Sequence, residues 1–318
     1  MAALPGLGLD CNRIATWRLL TPLNTRLGSK PQLLRRWGKE NAGKGPVLAD
    51  TAGLEKVAGY DTRVIRYGAG PRAALFLHAS MGNAKDWTGV QAELLEQLTM
   101  TAFDRPSHGR APRWQGGDAL ALFEQSVDMA GALIDGQADV IAHSFGATVA
   151  LGLALKMPEK VRSLTLYEPV LFGAIKERPE PQAFFGTMGR FQQLIEAGDE
   201  AEAARLFNDA IMPEAPWAAL PEPIRAAMAR RIHVIADEGP VVMGEVADLA
   251  NPARLAGLNM PVQFLHGSRS PAMFGAVIAY FCAHIPQAQR KIIGGAGHMG
   301  PLTHPRAIAM EIEAFLRA

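Results

Sequence analysis

The chain has 318 residues, 48% of them hydrophobic and 20% charged, a balance that excludes a disordered polyelectrolyte and exceeds the roughly 250–300 residues at which one core stops growing. With 32 Lys and Arg against 31 Asp and Glu the net charge is +1, so no global field draws a polyanion and nucleic acid is not an expected partner. Its two cysteines, Cys11 and Cys282, exclude a disulfide framework and lack metal-ligand spacing, which fits a reducing, cytoplasmic compartment; no apolar run reaches the roughly 18–20 residues of a membrane span.

Residues 1–46 carry eight Lys/Arg (Arg13, Arg18, Arg26, Lys30, Arg35, Arg36, Lys39, Lys44) against Asp10 and Glu40. An Arg-rich, acid-poor leader resembles a mitochondrial transit peptide, and a basic arm also suits anionic surfaces. Composition alone favours the plainer reading, a mobile basic N-terminal extension. A secretory signal does not fit, because no compact apolar stretch of about 7–15 residues follows a basic start.

Alternating strand and helix signals follow. Thr62–Tyr67, Ala73–His78, Thr99–Asp104, Ala138–His143, Ser163–Tyr167, Val262–His266 and Arg290–Ile293 are short, largely apolar runs bounded by Gly, Pro or polar residues, and they read as parallel strands buried on both faces. After Asp118, a candidate N-cap, Leu120, Phe123, Val127, Ala130 and Ile134 recur on one helical face. This is a βαβα chain with a parallel sheet. The alternation stops between about Phe172 and Arg254, where Phe184, Met188, Phe191 and Ile195, then Ile224, Met228, Ile232 and Ile235, keep helical periods with no strand between. Pro179, Pro181, Pro252 and Pro261 bracket this all-helical insertion. Asp237 and Asp248 within it read as solvated helix-face charges.

Glycine-containing turns close several of these strands, at the edge where α/β sheets bind ligands. In Ala142-His143-Ser144-Phe145-Gly146 an apolar strand runs into Ser144, and a small-residue helix follows until Pro158. A serine on so sharp a turn has its hydroxyl thrust out of the backbone, provided the residues two before and two after it are small, as Ala142 and Gly146 are. The Phe145 N–H then lies at a helix N-terminus, where it can donate to a developing oxyanion. A serine hydroxyl needs a base to become a nucleophile. His298, in Gly294-Gly295-Ala296-Gly297-His298-Met299-Gly300, follows the last strand on a loop able to bend over the sheet edge. His78, His108, His143, His233, His266, His284 and His304 read as turn, core or surface histidines, and none has metal-ligand spacing.

On these residues the chain resembles the α/β-hydrolase superfamily over residues 55–318. His78-Ala79-Ser80-Met81-Gly82 is similar to that family's H-G-x-x-G turn, and Asp104-Arg105-Pro106-Ser107-His108-Gly109 to its D-x-P-G-H-G loop. The resemblance implies a mostly parallel eight-stranded sheet flanked by helices, with residues 47–171 and 255–318 as core and 172–254 as a helical lid. It also implies a second oxyanion N–H from Ser80, two residues after the first histidine of that turn. Asp104 reads as a loop organiser whose carboxylate ties backbone amides.

There are two departures from the family pattern. Ala79 stands where a glycine is usual, a modest change if its φ stays negative. In Gly267-Ser268-Arg269-Ser270 the last residue stands where many relatives carry the triad aspartate, and a neutral hydroxyl cannot balance an imidazolium. Other members carry their acid at the end of the sixth strand, where this chain has Glu168; it is assigned as the acid, against a structural role pairing with backbone amides or Arg269. The reading is a serine esterase with Ser144, His298 and Glu168 as triad and Phe145 and Ser80 as oxyanion donors. Its substrate is a small or medium apolar carboxylic ester, lactone or thioester, and no cofactor or metal is called for. The alternatives are C–C hydrolysis, acyl transfer or perhydrolysis on the same scaffold, or a non-catalytic ligand-binding homologue.

Overall fold

The computed structural model describes residues 49–50, 53–244 and 246–318. Cys11 and the basic segment 1–46 lie outside the described residues. In chain order the elements are β1 (Ala49–Asp50), β2 (Glu55–Val57), β3 (Tyr60–Thr62), β4 (Val64–Tyr67), β5 (Arg72–Leu77), α1 (Thr88–Gln91), β6 (Leu98–Phe103), α2 (Ala119–Ala132), β7 (Ala138–His143), α3 (Phe145–Lys156) and β8 (Val161–Tyr167). They continue with α4 (Gln182–Glu196), α5 (Glu200–Ile211), α6 (Glu222–Ala229), α7 (His233–Val242), α8 (Pro252–Ala256), β9 (Val262–Gly267), α9 (Ala272–His284), β10 (Ala288–Ile293), α10 (Gly300–Thr303) and α11 (Pro305–Arg317).

Eight strands form one sheet in the order β1-β4-β6-β5-β7-β8-β9-β10. All neighbours from β6 to β10 run parallel, while β1 and β4 are antiparallel additions at one edge. Successive strand residues point to opposite faces, and both faces are covered. Leu75, Leu77, Val140 and Ala142 pack on one side with α2 and α3. Ala74, Phe76 and Ile141 pack on the other with Trp87, Val90, Ile308 and Ile312. That two-sided burial is why the strands read as continuous apolar runs rather than alternating ones. Gly152 of α3 lets Phe123 of α2 close in, since a Cβ there would sit 2.4 Å from the Phe123 ring.

The expected single strand over Thr62–Tyr67 is two strands. Ala58 and Gly59 both take positive φ, 47° and 81°, which gives a tight two-residue turn. Tyr60–Thr62 therefore folds back on β2, and only Val64–Tyr67 enters the main sheet. Asp118 caps α2 by accepting from Ala121 N at 3.0 Å. Between β8 and β9 the described residues hold helices and short 3-10 turns without a strand. Asp237 lies on α7, but Asp248, at φ 45°, lies in the turn after it rather than on a helix. Among the described residues no helix is long and apolar enough to cross a membrane.

The register sets up the functional edge. His143 pairs with Tyr167, and Tyr167 with Leu265. The next residues, Ser144, Glu168 and His266, therefore stand in a row across adjacent strand ends, about 4.8 Å per step.

Candidate active site

Ser144 ends a strand whose six residues are all buried, and it caps α3 at φ 56°, ψ −123°. This left-handed backbone is unfavourable for a residue with a Cβ, and it turns the side chain out of the chain's path. The turn closes because Gly146 is bare: a Cβ there would lie 2.4 Å from the His78 carbonyl oxygen and 2.8 Å from that of Leu77. The Phe145 N–H, as the first of α3, has no intrahelical acceptor.

His298 arrives from the loop after β10. Its Nε2 lies 3.1 Å from Ser144 Oγ and its Nδ1 2.7 Å from Glu168 Oε2. The ring is stacked on Phe274 of α9, with centroids 4.4 Å apart at 19°, and packs against His143 at 4.8 Å. Its loop is tied down by the Tyr167 hydroxyl, which donates to the Gly297 carbonyl at 2.7 Å.

Glu168 is fully buried and, like Ser144, sits just past its strand in the left-handed region at φ 46°. Its other oxygen, Oε1, accepts the Gly267 N–H at 2.8 Å and has His266 Nδ1 at 3.2 Å, close but off the line of a strict hydrogen bond. Burial alone would raise this carboxyl; the proximity of His266, the hydrogen bond and charge of His298, and the nearby Ser270 hydroxyl outweigh it and bring it down to about 2. These partners favour the charged form of the carboxylate. Its partners are His298, His266 and the Gly267 amide, and not Arg269. His143 is held neutral, down at about 3, by burial and by the neighbouring His298 charge.

Ser80 follows β5 in a turn where Met81, at φ 58°, takes the left-handed position and Ala79 does not. Ala79 therefore replaces glycine without strain. Asp104 organises this region: Oδ1 accepts Ala84 N at 2.7 Å and Arg63 Nη2 at 3.0 Å, and Oδ2 accepts Arg110 N at 2.7 Å. His78 Nε2 accepts the Arg105 N–H at 3.0 Å, which leaves its Nδ1 as donor to the Ala79 carbonyl at 2.7 Å. The neutral tautomer follows from burial and the adjacent Arg105 charge, which push this histidine well below its usual range. The Ser80 hydroxyl donates to the carboxylate of Glu238, which lies on α7.

The structure thus brings Ser144, His298 and Glu168 into one hydrogen-bonded line and places Phe145 and Ser80 on the turns beside it. Sequence reasoning did not single out His266, Phe274, Tyr167, Arg105 or Glu238. The strand register marks His266, but the others depend on packing between distant segments. Among the described residues there is no group of three or more His, Cys, Asp or Glu arranged to hold a metal ion.

Comparison with known proteins agrees with this architecture. A family model described as alpha/beta hydrolase fold matches residues 74–305. The dihydrolipoyllysine-residue acetyltransferase component of an acetoin cleaving system from Cupriavidus necator is 29% identical over 157 residues, 48% of this chain and 40% of that protein, so the chain spans less than half of that relative's length. The pimeloyl-[acyl-carrier protein] methyl ester esterase of Serratia marcescens is 29% identical over 267 residues, covering 79% of this chain and 96% of the esterase. Among solved structures, a 2-hydroxy-6-oxo-6-phenylhexa-2,4-dienoate hydrolase from Rhodococcus sp. strain RHA1 superposes with a TM-score of 0.66 at 18% identity, covering 86% of this chain and 100% of that one, and shares the fold.

Proposed function

The chain belongs to the alpha/beta hydrolase fold family, and from that premise we propose that it is a serine hydrolase cleaving a small or medium apolar carboxylic ester, lactone or thioester through an acyl-enzyme. The observation that carries this reading is the line Ser144 Oγ to His298 Nε2 at 3.1 Å and His298 Nδ1 to Glu168 Oε2 at 2.7 Å. A nucleophile, a base and an acid in that order move one proton while leaving the base charge-balanced.

Ser144 Oγ attacks the carbonyl carbon as its proton passes to His298 Nε2. The carbonyl oxygen becomes an oxyanion that the N–H groups of Phe145 and Ser80 receive; each such donor supplies about 2.7–4 kcal/mol of transition-state stabilisation. Glu168, buried and bonded to both the Gly267 amide and His298, stabilises the imidazolium and keeps Nδ1 protonated. His298 then returns the proton to the leaving alcohol or thiol, and water resolves the acyl-enzyme by the same path in reverse. Residues 172–254 act as the lid over this edge. An aromatic column supports an apolar substrate, since Phe274 on His298 continues to Phe172 at 5.7 Å and from there to Phe184 at 4.7 Å inside that segment. The esterase relative supports ester chemistry.

The test is labelling of the full chain with a fluorophosphonate, alongside turnover of p-nitrophenyl esters of graded acyl length. Covalent label at Ser144, lost together with turnover in Ser144→Ala, is the expected result. Label that persists in Ser144→Ala overturns the assignment.

A further inference from the structure

Glu238 is a carboxylate on α7, next in sequence to Asp237. It lies on the buried face of α7, 2% exposed, and forms an ion pair with the fully buried Arg105, Nη1 to Oε1 at 2.6 Å. The other oxygen of Glu238 accepts the Ser80 hydroxyl. The Arg105 guanidinium lies over the Phe145 ring, 4.9 Å from its centre, and its Nη2 lies 3.3 Å from His108 Nε2. One ion pair therefore touches both residues whose N–H groups are assigned to the oxyanion, Ser80 through its hydroxyl and Phe145 through its ring.

Stability does not explain the pair. Desolvating two charges offsets most of their attraction, and well-packed apolar side chains of the same volume are often as stable or more so. A lone carboxylate beside an oxyanion would repel the charge that develops there. Arg105 cancels that field, leaving the directional hold of Glu238 on the Ser80 turn.

We propose that the Arg105–Glu238 ion pair positions the oxyanion donors, Glu238 fixing the Ser80 turn from above and Arg105 seating on Phe145. Both are positioning residues, since they act through Ser80 and Phe145. The inference rests on the serine hydrolase reading and deepens it. Glu238 belongs to the helical segment, whereas Arg105, Ser80 and Phe145 belong to the sheet edge, so the oxyanion site is complete only while α7 is docked. Displacing α7 loosens it.

The test uses the full chain with Arg105→Met/Glu238→Leu, which removes both charges together, and with Ser80→Ala, which deletes only the hydroxyl and keeps the N–H. Active sites are titrated with fluorophosphonate, so that kcat is counted per reactive Ser144. The double variant is expected to keep its Tm and lose about 10- to 100-fold in kcat with KM within about twofold, and Ser80→Ala to lose about tenfold. Affinity for a trifluoromethyl ketone, whose adduct carries the oxyanion, should fall by the same factor as kcat. Ser80→Ala decides the matter alone if the double variant does not fold. A kcat within twofold of wild type, or a fall in kcat without the matching loss of ketone affinity, overturns the proposal. A wild-type chain that takes no label at Ser144 overturns the hydrolase reading and this one with it, whereas a labelled wild type with an unaffected variant overturns this one alone.

Discussion

The C-terminal ends of β8 and β9 are neighbours on the sheet edge, and they divide one task unequally. The first supplies a charge: Glu168, buried and bonded to His298. The second supplies donors: the Gly267 amide at 2.8 Å and the His266 ring at 3.2 Å, with the neutral Ser270 close by. A buried carboxylate is tolerable only when polar partners compensate its lost hydration. The end of β9, which carries no acid, therefore supplies polar partners that compensate the buried Glu168 carboxylate at the end of β8, and the two form one electrostatic unit spread over two strands.

Removing the charge is the most severe way to break this unit. Glu168→Gln keeps the shape and loses the counter-charge, and kcat should fall about 10⁴-fold, the scale seen when a serine protease loses its acid; steady-state ester hydrolysis checks it. Moving the charge tests whether the two ends are interchangeable. Glu168→Ala combined with Ser270→Asp should recover about 10- to 100-fold over Glu168→Ala alone, because the Gly267 amide and His266 remain to receive a carboxylate there. Recovery below threefold would show that the division of labour is fixed. Weakening the donor side is milder. His266→Phe removes one partner of Oε1, so Glu168 rises from about 2 toward its unfolded value near 4.5. A carboxyl depressed in the folded state stabilises the protein above its unfolded value and loses that contribution as pH falls through the folded one. Denaturant midpoints between pH 5 and 2 should therefore fall less steeply in His266→Phe than in wild type.

His143 precedes the proposed nucleophile in sequence and packs against His298. His143, at about 3 when folded, takes up a proton near 6.5 when unfolded. The unfolded chain thus binds more protons between those values, and stability rises with pH across that window. His78 and His108, also held well below their usual range by burial and Arg105, act in the same direction. His143→Asn should flatten the pH dependence of the unfolding midpoint between pH 6.5 and 4 in part, with little change at pH 8.

Much of this edge was legible in the sequence, because each part is local. Ser144 announces itself through Ala142 and Gly146, His298 through its glycines, and Glu168 by ending an apolar run. The Asp118 cap was legible because its partner lies within one turn, and the Asp104 loop organiser because it ties Arg110 N of its own loop, although its bonds to Arg63 and Ala84 come from distant segments. Arg105 and Glu238 were not. They are 133 positions apart, and in each local window a charged residue looks like a solvated one. The hairpin over β2 and β3 was missed because Ala58, unlike Gly59, gives no sign of a left-handed backbone.

Ser144 holds φ at 56°, a posture that costs a side-chain-bearing residue about 1–3 kcal/mol and that glycine adopts freely. With Ser144 as the proposed nucleophile, reactivity and thermal tolerance pull in opposite directions at one backbone position. A library screened for heat resistance alone should enrich Ser144→Gly and arrive at a sturdier, inert protein, so any effort to toughen this chain has to select for turnover in the same round.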